Sequence, residues 1–279
     1  MIDPLLAILH LCDSLFPLGA FAYSDGLEAA VRLSDQTSGS DPGVRPLHAA
    51  SPGVDRVAAD DGARGQTRGA DAGVRPPGQT PSGSEDRAKA VEFLRGWLDA
   101  MLEEAIGRAD GPAVWSAWRA VQENDWPAIA TLDQELIALR PALASRRSSR
   151  ALGLRLVTTW SALHPDRRLA CAIAHARAGR IAPVLPVAFA IVCASGGIGR
   201  RESVEAFAYT RLAAAASAAM RLLPIGQTGA HGLLAQALER VPAAVDGIAR
   251  RNARPESFAP MLDVAAMSQQ YLHSRLFRS

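Results

Sequence analysis

Between Val91 and Ile106 the apolar side chains recur three or four residues apart: Val91, Leu94, Trp97 or Leu98, Met101, Leu102, Ala105 and Ile106. Arg95, Asp99, Glu103 and Glu104 fill the other face. A period near 3.6 residues is the mark of a helix with one buried side. The same reading holds for "AVWSAWRAVQ", for "DWPAIATLDQELIALRP" with Pro127 at an N1-like position and Pro141 as the stop, and for six later segments rich in Ala and Leu. No strand-like alternation competes with it. The hydrophobic run "IAPVLPVAFAIVCASGGIG" is interrupted by prolines and glycines and falls short of the roughly 20 apolar residues that span a bilayer, so it reads as a buried helix. About ten helices with short connections predict a single all-α, bundle-like domain.

One stretch breaks the pattern. From Asp35 to Asp86 there is no aromatic residue, few Val and Leu, and about 29% Gly plus Pro. Such a mix buries too little apolar area to offset chain entropy. It predicts a long disordered insert at 35–86, with the folded domain formed by 1–34 plus 87–279. The near-repeat "DPGVRP" and "DAGVRP" is low complexity, since a solenoid needs three or more units that each bury a face.

The 30 basic and 28 acidic residues leave a formal charge of +2. Averaged over the chain, that gives no single-sign field to draw nucleic acid or an anionic membrane. Cys12, Cys171 and Cys193 are too few and too scattered for a disulfide framework. With no leader-like start, the expected compartment is the cytoplasm.

The only lysine, Lys89, follows "SEDRA" and not a phosphate-cradling glycine loop. "GGIG" at 196–199 lacks the dinucleotide spacing and reads as a helix end followed by a new helix start. "AYSDG", at 22–26, is one residue from a nucleophile elbow, which leaves a serine hydrolase using Ser24 as one alternative. That elbow requires a parallel sheet, however, and the competing reading makes Ser24 the cap of a helix that starts beside Glu28. "HLCD" places His10, Cys12 and Asp13 close in sequence, but positions two apart on a helix point in different directions. A helical metal-binding protein is the second alternative, and no cofactor is called for.

The segment "LLAILHLCDSLFPLGAFAYSDGLEAAV" resembles the N-terminal signature of the UreF-type urease accessory proteins, with Asp13, Ser14, Pro17, Gly19, Phe21, Tyr23, Ser24, Gly26, Leu27 and Glu28 in matching places. "FLRGWLDAMLEEAIGRADGPAVWSAWRA", "RLLPIGQTGAHGLL" and the tail "PMLDVAAMSQQYLHSRLFRS" resemble further segments of that family, so the likeness runs the length of the folded part.

The resemblance implies a non-enzymatic, all-helical scaffold for urease maturation. It would act as a homodimer joining the accessory protein called D or H and the GTPase accessory protein G, so that nickel enters apo-urease and the GTPase is modulated. Carried over by position, the contact regions are the turn at Phe21, Tyr23, Ser24 and Glu28, then Gln227, then the tail with Tyr271, Arg275, Leu276 and Phe277. Pro17, Gly19 and Gly26 shape the turn. Each also has a purely structural reading: turn formers, Gln227 as a helix-terminus cap, and the tail as a strap on the last helix. The chain departs from the family at Gln269 and Gln270, where an H-E pair is usual, at Leu185, and in the insert.

Overall fold

The computed structural model describes residues 3–13, 16, 24–38, 82–252, 254–272 and 276–277. Pro17, Gly19, Phe21, Tyr23, Arg275 and residues 39–81, most of the expected insert, lie outside the described residues. The described residues form eleven α-helices and no strand. Helix α2 (Leu27–Ser38) runs past the expected start of the insert, and α3 (Ser82–Ala100) begins before its expected end.

The centre is α8 (Leu185–Ser195), in which every residue from Pro186 to Ser195 is buried. It packs against α4 (Gly111–Glu123), α6 (Leu143–Leu163) and α9 (Arg200–Leu222). A helix apolar on all sides belongs in the middle of a domain, and among the described residues no helix is long and apolar enough to cross a membrane. Two polar side chains aim its entrance. Asp133, 2% exposed on α5 (Trp126–Ala138), accepts the N–H groups of Ala182 and Val184, both at 2.8 Å, and Ser149 Oγ accepts that of Leu185 at 3.1 Å. Burial raises the Asp133 pKa, and those two backbone bonds pull against it. At Gly153 on α6, a Cβ would collide with the Pro183 carbonyl, so the entering chain lies directly on the helix backbone.

The helix ends follow local chemistry. Asp3, Asp125 and Asp166 cap α1 (Pro4–Cys12), α5 and α7 (Arg167–Arg177) through their carboxylates. The "GGIG" segment is the expected end and restart. Gly197 takes φ +73°, Gly199 is the N-cap of α9, and Trp118 Nε1 holds the turn by donating to the Ile198 carbonyl at 2.9 Å. Gly226 precedes α10 (Gln227–Arg251), and α11 (Pro260–Ser268) runs into a short 3₁₀ turn at Gln269–Tyr271.

One expectation is corrected. Met101–Asp110, read as a continuation of the α-helix, is a π-helix. Its wide turns close through bonds such as Gly111 N–H to the Ile106 carbonyl, and a Cβ on Gly111 would sit 2.6 Å from that oxygen and 2.7 Å from Ile248 Cδ1 of α10. The glycine lets α10 come in close, and hydrophobic spacing alone does not report the wider register.

Candidate partner-docking end of the bundle

At one end of the molecule the start of α2, the whole of α11 and the chain's last described residues meet. Asp25 (φ 50°) and Gly26 (φ 92°) turn the chain into α2. At Gly26 a Cβ would lie 2.6 Å from Ala266 N, so α11 rests on bare backbone there and only glycine fits. Asp25 also pairs with Arg211 of α9. Burial opposes the Arg211 charge, but Asp25 and Asp110 overcome it and its pKa is raised.

Glu28 follows, with no exposed surface. Its carboxylate accepts the backbone N–H of Leu276 at 2.8 Å and of Phe277 at 3.2 Å, and Gln269 Nε2 donates to it at 3.1 Å. Gln269 Oε1 in turn accepts the Ala29 N–H at 3.1 Å. One buried carboxylate and one buried amide therefore tie the chain's last turn to the first turn of α2 across some 240 residues of sequence. Phe277 is buried, and the Arg221 guanidinium lies 5.8 Å from the centre of its ring.

The opposite face of α11 is apolar and open. Met261, Val264 and Met267 recur every third residue, each between 44% and 56% exposed. Phe258 before the helix and Tyr271 and Leu276 after it are more exposed still. Beneath α11 lies a cavity of about 130 Å³ bordered by Trp97, Glu104, Asp110, Arg140, Arg211 and Asp263. Burial raises the pKa of Asp263 there. The indole N–H of Trp97, itself 2% exposed, has no acceptor among the described residues.

Placement sorts the expected contact residues. Tyr271 and Leu276 are exposed, Gln227 is an exposed first residue of α10, and Ser24, Glu28 and Phe277 are buried. Phe21, Tyr23 and Arg275 lie outside the described residues. Ser24 is not the side-chain cap expected for α2. Its carbonyl accepts the Leu27 N–H at 2.9 Å, while its hydroxyl is buried with no partner among the described residues. A serine nucleophile needs a base in hydrogen-bond reach, and among the described residues none is in place. Nor do His10, Cys12 and Asp13 converge. The His10 ring packs among Phe16, Trp160 and His164 at 5.4–5.6 Å, whereas the Cys12 thiol points at the Ala206 carbonyl and burial raises its pKa to about 11. Among the described residues no three His, Cys, Asp or Glu side chains gather as a metal site.

Sequence reasoning missed Gln269 as a structural partner of Glu28, and it missed Arg211. Along the sequence Gln269 stands out only as a departure from a family pattern. Its one local signal was a polar residue in line with the apolar inner face of α11.

What the fold defines is an all-helical protein with its chain end tied back to the start of α2 and a strip of apolar side chains left open beside the knot. The UreF family model matches residues 89–238. The chain is 31% identical over 186 residues to the urease accessory protein UreF of Arthrobacter sp. (strain FB24), covering 66% of this chain and 79% of that protein. It is 27% identical over 276 residues to the protein of the same name from Methylibium petroleiphilum, covering 99% of this chain and 94% of that protein. The match to its namesake from Rhodopseudomonas palustris (strain BisB5) is 29% over 266 residues, covering 95% and 86%. The chain belongs to the UreF family.

Proposed function

We propose that this protein is a cytoplasmic scaffold for urease maturation. It joins the D/H accessory protein to the GTPase accessory protein G, modulates that GTPase while nickel is inserted into apo-urease, and works as a homodimer without chemistry of its own. The names of its relatives support the urease setting. The observation that carries the docking role is the open apolar strip of α11, continued by Tyr271 and Leu276, beside a tail anchored on Glu28. Exposed apolar strips of this kind mark surfaces that another protein covers. In this reading Glu28, Gln269 and Phe277 hold the tail in place, the buried Ser24 lies behind the turn, and Phe21, Tyr23, Gln227 and Arg275 belong to the contact surface.

The test is co-purification with the D/H and G proteins. Arg275→Ala, or deletion of the last ten or so residues, is expected to leave the helical circular dichroism unchanged and to abolish capture of the GTPase. Capture at wild-type level would overturn the tail's role. Met261→Asp with Val264→Asp is expected to cost binding while leaving the fold intact, because both side chains already face water.

A further inference from the structure

The near-neutral total charge conceals a segregation. Between Leu139 and Arg180 the chain has nine arginines and a single acidic residue, Asp166, a local excess of eight positive charges. The remaining 21 basic and 27 acidic residues therefore carry an excess of six negative charges. Asp166 is engaged with the Arg168 N–H at 2.7 Å as the cap of α7. Some of the nine arginines also have internal partners. Arg140 pairs with Asp110 at 2.5 Å, Arg146 donates to the Arg140 and Pro141 carbonyls, and Arg168 donates to Gln122. Arg147, Arg167, Arg177 and Arg180 are exposed and form no ion pair among the described residues. Arg150 is also exposed and forms no ion pair among the described residues, and its charge acts to lower the pKa of the buried Asp133.

On α6 this charge is interleaved with apolar surface. Leu143, Arg147, Arg150, Leu154 and Thr158 follow one another at steps of three and four, so they form one stripe, opposite the buried Leu152, Leu156 and Trp160. Leu143 is 50% exposed and Leu154 45%. From Leu143 to Thr158 the stripe is about 22 Å long at 1.5 Å per residue. Helix α7, with its own exposed arginines, packs against α6.

Two leucines in line with arginines narrow the choice of occupant. A phosphate backbone would pair with the guanidinium groups but leave both leucines uncovered, and no exposed aromatic side chain on this stripe offers a base a stacking partner. A bilayer surface asks for a continuous apolar sector flanked by basic residues, whereas here the arginines interrupt the leucines. A helix with a narrow apolar ridge bordered by Asp and Glu matches both features, since carboxylates take bidentate bonds from the planar guanidinium. The segment 39–81 does not complement the patch in charge, having five aspartates and five arginines.

We propose that the α6 stripe, with the arginines of α7 beside it, is a docking surface for an acidic amphipathic helix of a partner protein. The inference stands on charge distribution and helical register and does not depend on the urease reading.

The probe is a fluorescein-labelled helix-forming peptide of about 20 residues, with leucines along one ridge and glutamates on both flanks. Its anisotropy is measured with the full chain at low and at moderate salt. Saturable, salt-sensitive binding is expected. Arg147→Glu with Arg150→Glu should weaken it by about tenfold or more, and Leu154→Ala by several-fold, with melting temperatures unchanged. Absence of saturable binding would overturn the proposal, as would indifference to these substitutions. So would equal or tighter binding of a leucine-free peptide of the same charge, of a single-stranded oligonucleotide, or of phosphatidylglycerol vesicles.

Discussion

Two faces of this molecule use arginine in opposite ways. On the side built from α3, the π-helix, α9 and α10, four arginines, Arg108, Arg201, Arg211 and Arg240, have carboxylate partners. Arg240 bridges Asp99 and Glu103, Arg201 reaches Glu205 at 2.9 Å and Asp246 at 2.5 Å, and Arg108 lies 3.3 Å from Glu104. On the α6 and α7 side, Arg147, Arg167, Arg177 and Arg180 reach only solvent among the described residues. The difference lies in what each helix faces, not in residue type. Asp99 of α3 and Glu103 of the π-helix meet Arg240 of α10, whereas Arg147, Arg167, Arg177 and Arg180 have no carboxylate within ion-pair distance among the described residues. Paired arginines belong to the fold's own cohesion, and unpaired ones are available to something outside it.

Substitutions can break or sharpen this contrast, and the largest effect is expected where a pair is least exposed. Arg140→Ala strands Asp110, whose side chain is 12% exposed, and should cost about 3 kcal/mol in urea unfolding. A double-mutant cycle with Asp110→Asn should recover much of that loss, and a cost near zero would mean that the pairing contributes nothing to the fold. Glu28→Ala comes next. It leaves the Leu276 and Phe277 amides and Gln269 without their acceptor, which should cost about 2 kcal/mol and raise the hydrogen-exchange rates of those two amides selectively. Protection that survives the substitution would show that the tail is held by Phe277 packing alone.

Arg240→Ala removes two pairs in which every side chain is at least 41% exposed. A loss of about 0.5–1 kcal/mol is expected, shrinking as salt is added. Arg147→Ala should fall within about 0.5 kcal/mol of wild type. Its sign is the informative part. Relief of like-charge crowding predicts a small gain in melting temperature at low salt that vanishes at high salt, the reverse of the Arg240 trend. If both substitutions respond to salt in the same direction, the two faces are not electrostatically distinct.

Much of this was legible along the chain. The all-round apolar segment that became α8, the proline near the start of α5 and the glycine turn before α9 depend on neighbours within a few residues, so local rules reach them. The π-helix was not legible, because "MLEEAIGRAD" satisfies an α-helical pattern equally well. At the docking end the sequence marked Glu28 and the tail as notable by resemblance. That Glu28 faces inward and binds the tail's backbone became visible only when positions 240 residues apart were brought together.

The sequence by itself determined most of the helices and their glycine and proline breaks, and an uneven run of arginine that a chain-wide charge total averages away. The tertiary structure decided which charges cancel. Ion pairing falls off within a few ångströms and depends on which helices are neighbours. The same Arg side chain therefore becomes a clamp on α10 and an open contact on α6.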